Sequence, residues 1–295
     1  MNAPHLVTDG EMRAPSVAAE YMLYQTLLGS WPLEGPDTSF TERIQAYGLK
    51  AAREGKEQTS WLNPHETYEA GSQTFIARIL DPALSGDFLE AIEAMARRVA
   101  LLGALNSLSQ LTLKATMPGV PDFYQGTELW DLSLVDPDNR RPVDFAARAA
   151  LLASLGTPDW TALTKGWSNG HLKLAWTAHL LKLRAELAHV FTDGDYQPLR
   201  VSGPHRDHVI AFARRKGGDA AIVAVARHFA SFTQGGRVWP KAETFEGAID
   251  LTDSGIETTA ELALPALFAH MPVAVVRATS AAPAKSAGKR ATAES

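Results

Sequence analysis

Residues 118–142, PGVPDFYQGTELWDLSLVDPDNRRP, bring aromatic rings, carboxylates and two adjacent guanidinium groups into one segment punctuated by proline and glycine. Such an inventory suits the recognition of a polyhydroxylated ligand. The faces of Tyr124 and Trp130 match the apolar C–H side of a pyranose. Glu128, Asp136, Asp138, Arg140 and Arg141 can take its hydroxyls, the arginines in two-pronged pairs. A plainer arrangement uses the same residues: a surface loop stiffened by its prolines, in which Arg140 and Arg141 hold Asp136, Asp138 or Asp144. On residue chemistry alone carbohydrate is the best ligand class.

Other chemistries find less support. His65-Glu66 opens HETYE, which lacks the second histidine that a zinc-binding helix needs. Asp136 and Asp138 begin like a calcium loop, but Arg140 stands at the third liganding position and no glycine follows. There is no cysteine, so disulfides and thiolate metal sites are excluded. No phosphate-cradling P-loop and no strand-following G-x-G-x-x-G supports a nucleotide. Neither a metal nor a cofactor is expected.

The elements that must position the segment can be read from periodicity and end signals. Residues 17–28 carry an apolar helical stripe stopped by Gly29 and Pro32. Ser39 with Glu42 reads as a capping box for the next helix. Asn63, Pro64 and Glu66 read as the start of a helix running to Leu80, and Asp87 with Glu90 as the start of one ending near Ser107. LTLKATM, residues 111–117, partly alternates and is stopped by PGVP, which predicts a strand with the polar segment as the loop at its C-terminal end. Helices are expected from Pro142 and over about 171–191, with a boundary at 156–170. From residue 195 the period becomes two. HVIAFARR and AAIVAVARH flank KGGD, a hairpin signal, and GAIDLTD, TAELALP and PVAVVRA follow as short strands.

Over 295 residues the hydrophobic fraction is 45%, enough for a substantial core, and the net charge of −5 gives no electrostatic case for nucleic acid or an anionic membrane. No apolar run approaches a membrane span, and the opening residues lack a signal-peptide pattern. A cytoplasmic protein is the expectation.

The segment PGVPDFYQGTELWDLSLVDPDNRRPVDF also resembles the strand-eight region of the α-amylase family (glycoside hydrolase family 13). Gly119, Pro121, Tyr124, Gly126 and Glu128 match its G-x-P-x-x-Y-x-G-x-E pattern. The continuation DPDNRRP, with EYMLYQTLLGSWP (20–32) and ERIQAYGLKAAREGKEQTSWLNPHETYE (42–69), narrows the resemblance to the maltooligosyl trehalose synthases within it. The resemblance is strong over about 15–155. It implies an α+β fold: the helix-rich C-terminal part of a (β/α)8 barrel, with its last strand and surrounding helices, then a small antiparallel β-sandwich domain. The implied division is a flexible N-terminus at 1–15, barrel-derived structure at 16–170, a helix plus β domain at 171–278, and a disordered tail at 279–295.

The implied activity is an intramolecular transglucosylation that turns the reducing-end α-1,4 linkage of a maltooligosaccharide into an α,α-1,1 linkage. Retaining chemistry of this kind needs a carboxylate nucleophile and a carboxylic acid/base. In the family these stand on earlier barrel strands, and their motifs are absent from this sequence, so no catalytic residue is assigned here. What carries over is a substrate-binding wall: Tyr124, Glu128 and Trp130 at the strand-eight rim, and Asp136, Asp138, Arg140 and Arg141 in the adjoining loop. Lys50 and Trp61 stand in matching segments and could approach the sugar or simply serve as helix-surface and packing residues. The implied partners are a maltooligosaccharide and the remaining, N-terminal part of the barrel. Two rival readings remain: a non-catalytic maltooligosaccharide-binding module, or another α-amylase-family hydrolase or transglucosidase.

Overall fold

A side-chain oxygen of Ser16 accepts the Ala19 amide and opens α1 (Val17–Ser30), which stops before Trp31-Pro32. The computed structural model describes residues 1–257 and 261–280. Ahead of α1, where a flexible lead-in is expected, β1 (Val7–Asp9) and β2 (Met12–Ala14) pair antiparallel. They lie so close to the third helix that a Cβ on Gly71 would come 2.8 Å from Ala14 Cβ.

The next helices start at different residues from those expected. α2 (Thr38–Gly55) is capped by Asp37, whose carboxylate accepts the Phe40 amide at 2.8 Å and also the Ser39 hydroxyl. The charged side chain wins the cap, and Ser39 becomes a helical residue that supports it. α3 (Glu66–Ile79) is capped by His65, whose Nδ1 accepts the Tyr68 amide, not by Asn63.

α4 (Pro82–Thr116) starts at Asp81 and breaks its helical geometry at Ser85. It then continues through residues 111–116, where a strand was expected. Leu108, Leu111, Thr112, Ala115 and Thr116 are all buried, a spacing that repeats every three to four residues and covers one helical face. The apparent alternation of Leu111 and Leu113 is a fragment of that longer stripe. Met117 ends the helix with extended geometry because it precedes Pro118.

Beyond the polar segment lie α5 (Phe145–Leu155), α6 (Trp160–Lys165), α7 (His171–Glu186) and α8 (Ala188–Asp193). Asp144 and Asp159 cap α5 and α6, and the expected helix over 171–191 is two helices that meet at Leu187.

The chain then turns to antiparallel sheet. β3 (Asp195–Pro198), β5 (Val209–Lys216), β6 (Asp219–Ala226) and β9 (Val273–Thr279) form one sheet in the order β3-β5-β6-β9. β4 (Arg200–Ser202), β7 (Ala248–Asp250) and β8 (Glu261–Ala263) form a second. The short α9 (Leu264–Leu267) precedes β9. The predicted hairpin is β5–β6, with Lys216 opposite Asp219 and Gly217-Gly218 as the two-residue turn. Gly217 has φ +61°, which the turn requires and glycine takes freely. Thr279 closes β9 and Ser280 bridges to Ile256, so these two residues are ordered sheet and not part of a tail; 281–295 lie outside the described residues.

Helices and sheet share one interior. Alternate residues of β6 face opposite ways. Val223 and Val225 pack with Leu108 and Leu111 of α4 and with Leu172 and Trp176 of α7. Ala220, Ile222 and Ala224 pack with Ile249 of β7, Phe245 and Phe268. The join is also polar. Arg214 of β5, only 1% exposed, donates to the carbonyls of Thr116, Phe191, Gly194 and Asp195 at 2.9–3.1 Å. One guanidinium thus satisfies acceptors at the ends of α4 and α8 and the start of β3.

Candidate carbohydrate site

The segment 117–128 leaves α4 and runs without a strand partner beside the last turns of α4 and along α7, whose Arg184 donates to the Gly119 carbonyl. Gly126 turns it at φ +88°, where a Cβ would stand 3.2 Å from Val143 Cγ2, so both the conformation and the close approach favour glycine. Between this segment, α4 and α7 opens a cleft of about 500 Å³. Tyr124 and Glu128 line it together with Phe123, Lys114, Thr177 and Lys173.

Several of the cleft residues are anchored. Lys114 Nζ sits 4.3 Å from the centre of the Phe123 ring, a cation–π contact that fixes that ring on α4. Glu128 meets Arg148 of α5 at 3.2 Å, and Arg148 also donates to the carbonyls of Gly126 and Asp144. Tyr124 is 41% exposed, so its face is open to a ligand. Lys173 donates to the Leu129 carbonyl, and its burial pulls its pKa down to about 8, against the opposing pull of Asp131 and Glu128.

Trp130 lies on the other side of Lys173. Its indole N–H donates to the Trp167 carbonyl at 2.6 Å, and its ring stands edge-on to Trp167 and 5.5 Å from Lys173 Nζ. It lines a neighbouring cleft of about 270 Å³ with Trp31, Leu132 and Lys173. Of the expected rim, therefore, Tyr124 and Glu128 share one cleft, and Trp130 lines the neighbouring one, which meets the first at Ser107 and Lys173.

The adjoining loop is organised differently. Asp138 accepts Arg43 Nε and Nη2 at 2.8 and 2.7 Å and the Leu134 amide at 2.7 Å, while Arg141 approaches it at 3.2 Å. Arg140 meets Asp136 at 2.5 Å on the surface, and Lys50 donates to the Asp136 carbonyl. Asp144 is the cap of α5 and takes neither arginine. The carboxylates of this loop are therefore taken by arginines, Asp136 by Arg140 within the loop and Asp138 by Arg141 within it and Arg43 of α2 outside it. A cleft of about 440 Å³ does run between it and α2, lined by Tyr47, Lys50, Asp136, Asp138 and Arg141. Arg43, 95 positions before its partner, carries no local signal of its role. Trp61 is 56% exposed, with the Arg53 guanidinium 4.9 Å from its ring, and it lines none of the clefts described above.

One motif needs its context. GWSNG, residues 166–170, satisfies the G-x-S-x-G pattern of a nucleophile elbow. Ser168 is exposed in a short 3-10 turn between α6 and α7, not in the strand-to-helix turn the elbow needs. Among the described residues no group of three or more histidines and carboxylates is placed to hold a metal ion, and no helix is long and apolar enough to cross a membrane.

No family model matches the chain. Two Mycobacterium tuberculosis proteins, from strains CDC 1551 / Oshkosh and ATCC 25618 / H37Rv, carry the name "Putative maltooligosyl trehalose synthase". Each is 34% identical to it over 277 residues, which is 89% of this chain and 32% of the relative. The solved maltooligosyltrehalose synthase of Arthrobacter ramosus is 31% identical, with a TM-score of 0.66 over 88% of this chain and 32% of its own. Another solved maltooligosyl trehalose synthase gives 27% identity and a TM-score of 0.67 over 89% and 33%. The chain is thus similar along almost its whole length to these enzymes and spans about a third of theirs.

Proposed function

We propose that this chain is the C-terminal portion of a maltooligosyl trehalose synthase, contributing a wall of the sugar site to an enzyme whose catalytic carboxylates lie in the other two thirds. The single observation that carries the reading is the match of nearly the full chain, at 34% identity, to a third of relatives bearing that name. The cleft holding Tyr124 and Glu128 supplies the local chemistry: an open aromatic face beside carboxylates, hydroxyls and ammonium groups. The finer architecture belongs to the same reading: 16–170 as helices and loops from around a barrel, with the end of α4 where its last strand was expected, and 171–278 as α7 and α8 with a sandwich-like β domain.

The reaction of the whole enzyme is an isomerisation of the reducing-end α-1,4 linkage to an α,α-1,1 linkage through a covalent glycosyl intermediate. The released glucose has to be turned and recaptured before water attacks, so this wall would hold sugar and exclude solvent. Glu128 suits that role, since Arg148 holds its carboxylate in place beside the cleft. We assign no catalytic residue to this chain.

Calorimetry with maltohexaose, set beside reducing-end loss and trehalose-ended product, tests the proposal. Binding of maltohexaose over cellohexaose without loss of reducing ends is expected. Failure to discriminate between the two glucans would overturn the sugar-wall assignment, and turnover by the chain alone would overturn the placement of the carboxylates elsewhere.

A further inference from the structure

A second cleft, of about 590 Å³, opens where the middle of α4 meets the loop 234–239, and it shares no lining residue with the cleft of Tyr124 and Glu128. Its walls carry Arg97, Arg98, Arg237, Trp167 and Trp239, with Glu34 at the edge.

The arginines are not equivalent. Arg97 is engaged by Glu93 at 2.5 Å, one turn before it on α4. Arg98 donates from Nε to the Gly235 carbonyl at 2.9 Å, and Arg237 donates from Nη1 to the Gln234 carbonyl at 2.6 Å. Among the described residues neither Arg98 nor Arg237 meets a carboxylate, so each keeps guanidinium N–H groups to offer.

These two guanidinium groups converge. A Cβ placed on Gly235 would lie 2.9 Å from Arg98 Nη2 and 3.4 Å from Arg237 Nη1. Two cations held this close repel unless an anion or solvent lies between them. The loop is not free to relax the arrangement. Gln234, Gly235 and Gly236 are three consecutive residues at positive φ, and a Cβ on Gly236 would stand 2.3 Å from the Arg98 carbonyl oxygen. Thr233 Oγ1 accepts the Gly236 amide at 2.9 Å and closes the turn. Backbone strain and a pair of like charges are thus fixed at one point on a cleft wall.

Next to that point are two indoles. Trp239 is half-buried, and its Nε1 is shielded from solvent with no hydrogen-bond partner in the protein. A buried donor without an acceptor is uncommon and suits a site completed by a ligand.

We propose that this cleft binds a phosphorylated sugar, the phosphate on Arg98 and Arg237 and the ring against Trp167 and Trp239. Guanidinium forks match phosphate oxygens, and an indole face matches the C–H side of the ring. Glu34 and Asn169 are placed at the cleft wall for the sugar hydroxyls.

The test is a titration of the whole chain, followed by calorimetry and tryptophan fluorescence, with glucose 6-phosphate, glucose and inorganic phosphate as separate ligands. Glucose 6-phosphate is expected to bind at least tenfold more tightly than either of the others. Arg237→Gln should weaken it about tenfold while leaving the melting temperature of this exposed site unchanged. Trp239→Phe should weaken glucose 6-phosphate and leave inorganic phosphate unaffected. Equal binding of inorganic phosphate and glucose 6-phosphate would overturn the sugar part of the proposal. Binding that survives Arg237→Gln, or no binding of either phosphate, would overturn it altogether.

Discussion

Arg43 on α2 grips both carboxylate oxygens of Asp138, at 2.8 and 2.7 Å, and its Nη2 also donates to the Leu132 carbonyl. The loop after the aromatic segment is therefore fastened from outside, to a helix formed 95 residues earlier. Replacing Arg43 with Met should cost about 1.5–3 kcal/mol, the range for a hydrogen-bonded charged pair, because Asp138 keeps only Leu134 and Arg141. Urea unfolding of the variant checks this. A midpoint equal to that of the parent would show that the pair contributes nothing.

The same contact sets an acid limit. Burial raises the Asp138 pKa, but the Arg43 guanidinium and the Leu134 amide outweigh it, so the group titrates below the usual carboxylate value. A depressed folded-state pKa means stability that is present above the unfolded value of about 3.9 and lost as pH falls through the folded one. Asp138→Asn should therefore be less stable than the parent at pH 7, with the gap closing below pH 4. A gap independent of pH would show that the carboxylate charge is not what matters.

Arg214 carries the join between helices and sheet. Replacing it with Met leaves the carbonyls of Thr116, Phe191, Gly194 and Asp195 without their donor inside the protein. The expected loss is about 3 kcal/mol or more, since each buried carbonyl left unpaired costs about 1–3 kcal/mol. Hydrogen exchange should speed up at the end of α4 and along β5 together. Exchange confined to β5 would mean that the two halves are held by apolar contacts alone.

Helix α5 buries none of its residues, and Phe145 and Leu152 are 56% and 44% exposed. Large apolar side chains left in solvent on one helix favour association. The chain should sediment as dimers or larger species at tens of micromolar, and Phe145→Ser with Leu152→Lys should shift it toward monomer. A parent that is monomeric throughout would remove the argument.

How far these features could be read from the sequence depends on how local their causes are. The β5–β6 hairpin is written in adjacent residues: alternation on each arm and Gly217-Gly218 between them. The end of α4 was misread because a seven-residue window over 111–117 shows Leu111 and Leu113 alternating. The helical face only emerges when Leu108 and Ala115 are counted with them. Caps were misplaced by two residues where two candidates compete, as Asp37 and Ser39 do. In the polar loop, sequence proximity offers Arg140 and Arg141 the carboxylates of Asp136, Asp138 and Asp144 alike, and the fold pairs them with the first two. Arg43, Arg148 and Lys173 come from separate helices, and only the fold brings them to the segment.

Lys173 links the two clefts on either side of the aromatic segment, and its titration reports on both. Burial lowers its pKa to about 8, beyond what Asp131 and Glu128 restore. In the unfolded chain a lysine titrates near 10.4. Between about pH 8 and 10.4 the unfolded state therefore binds more protons than the folded one, and stability rises with pH across that window. Below pH 8 both states carry the charge, and the folded state bears the full cost of burying it. Lys173→Met removes the titration, so the variant's unfolding midpoint should stay level from pH 8 to 10 where the parent's climbs. The ammonium's bond to the Leu129 carbonyl goes with it, which should loosen the backbone between Glu128 and Trp130. If the parent shows no rise relative to the variant, Lys173 is better solvated than its place between Trp130 and the Tyr124 cleft implies, and water already fills the space assigned to sugar.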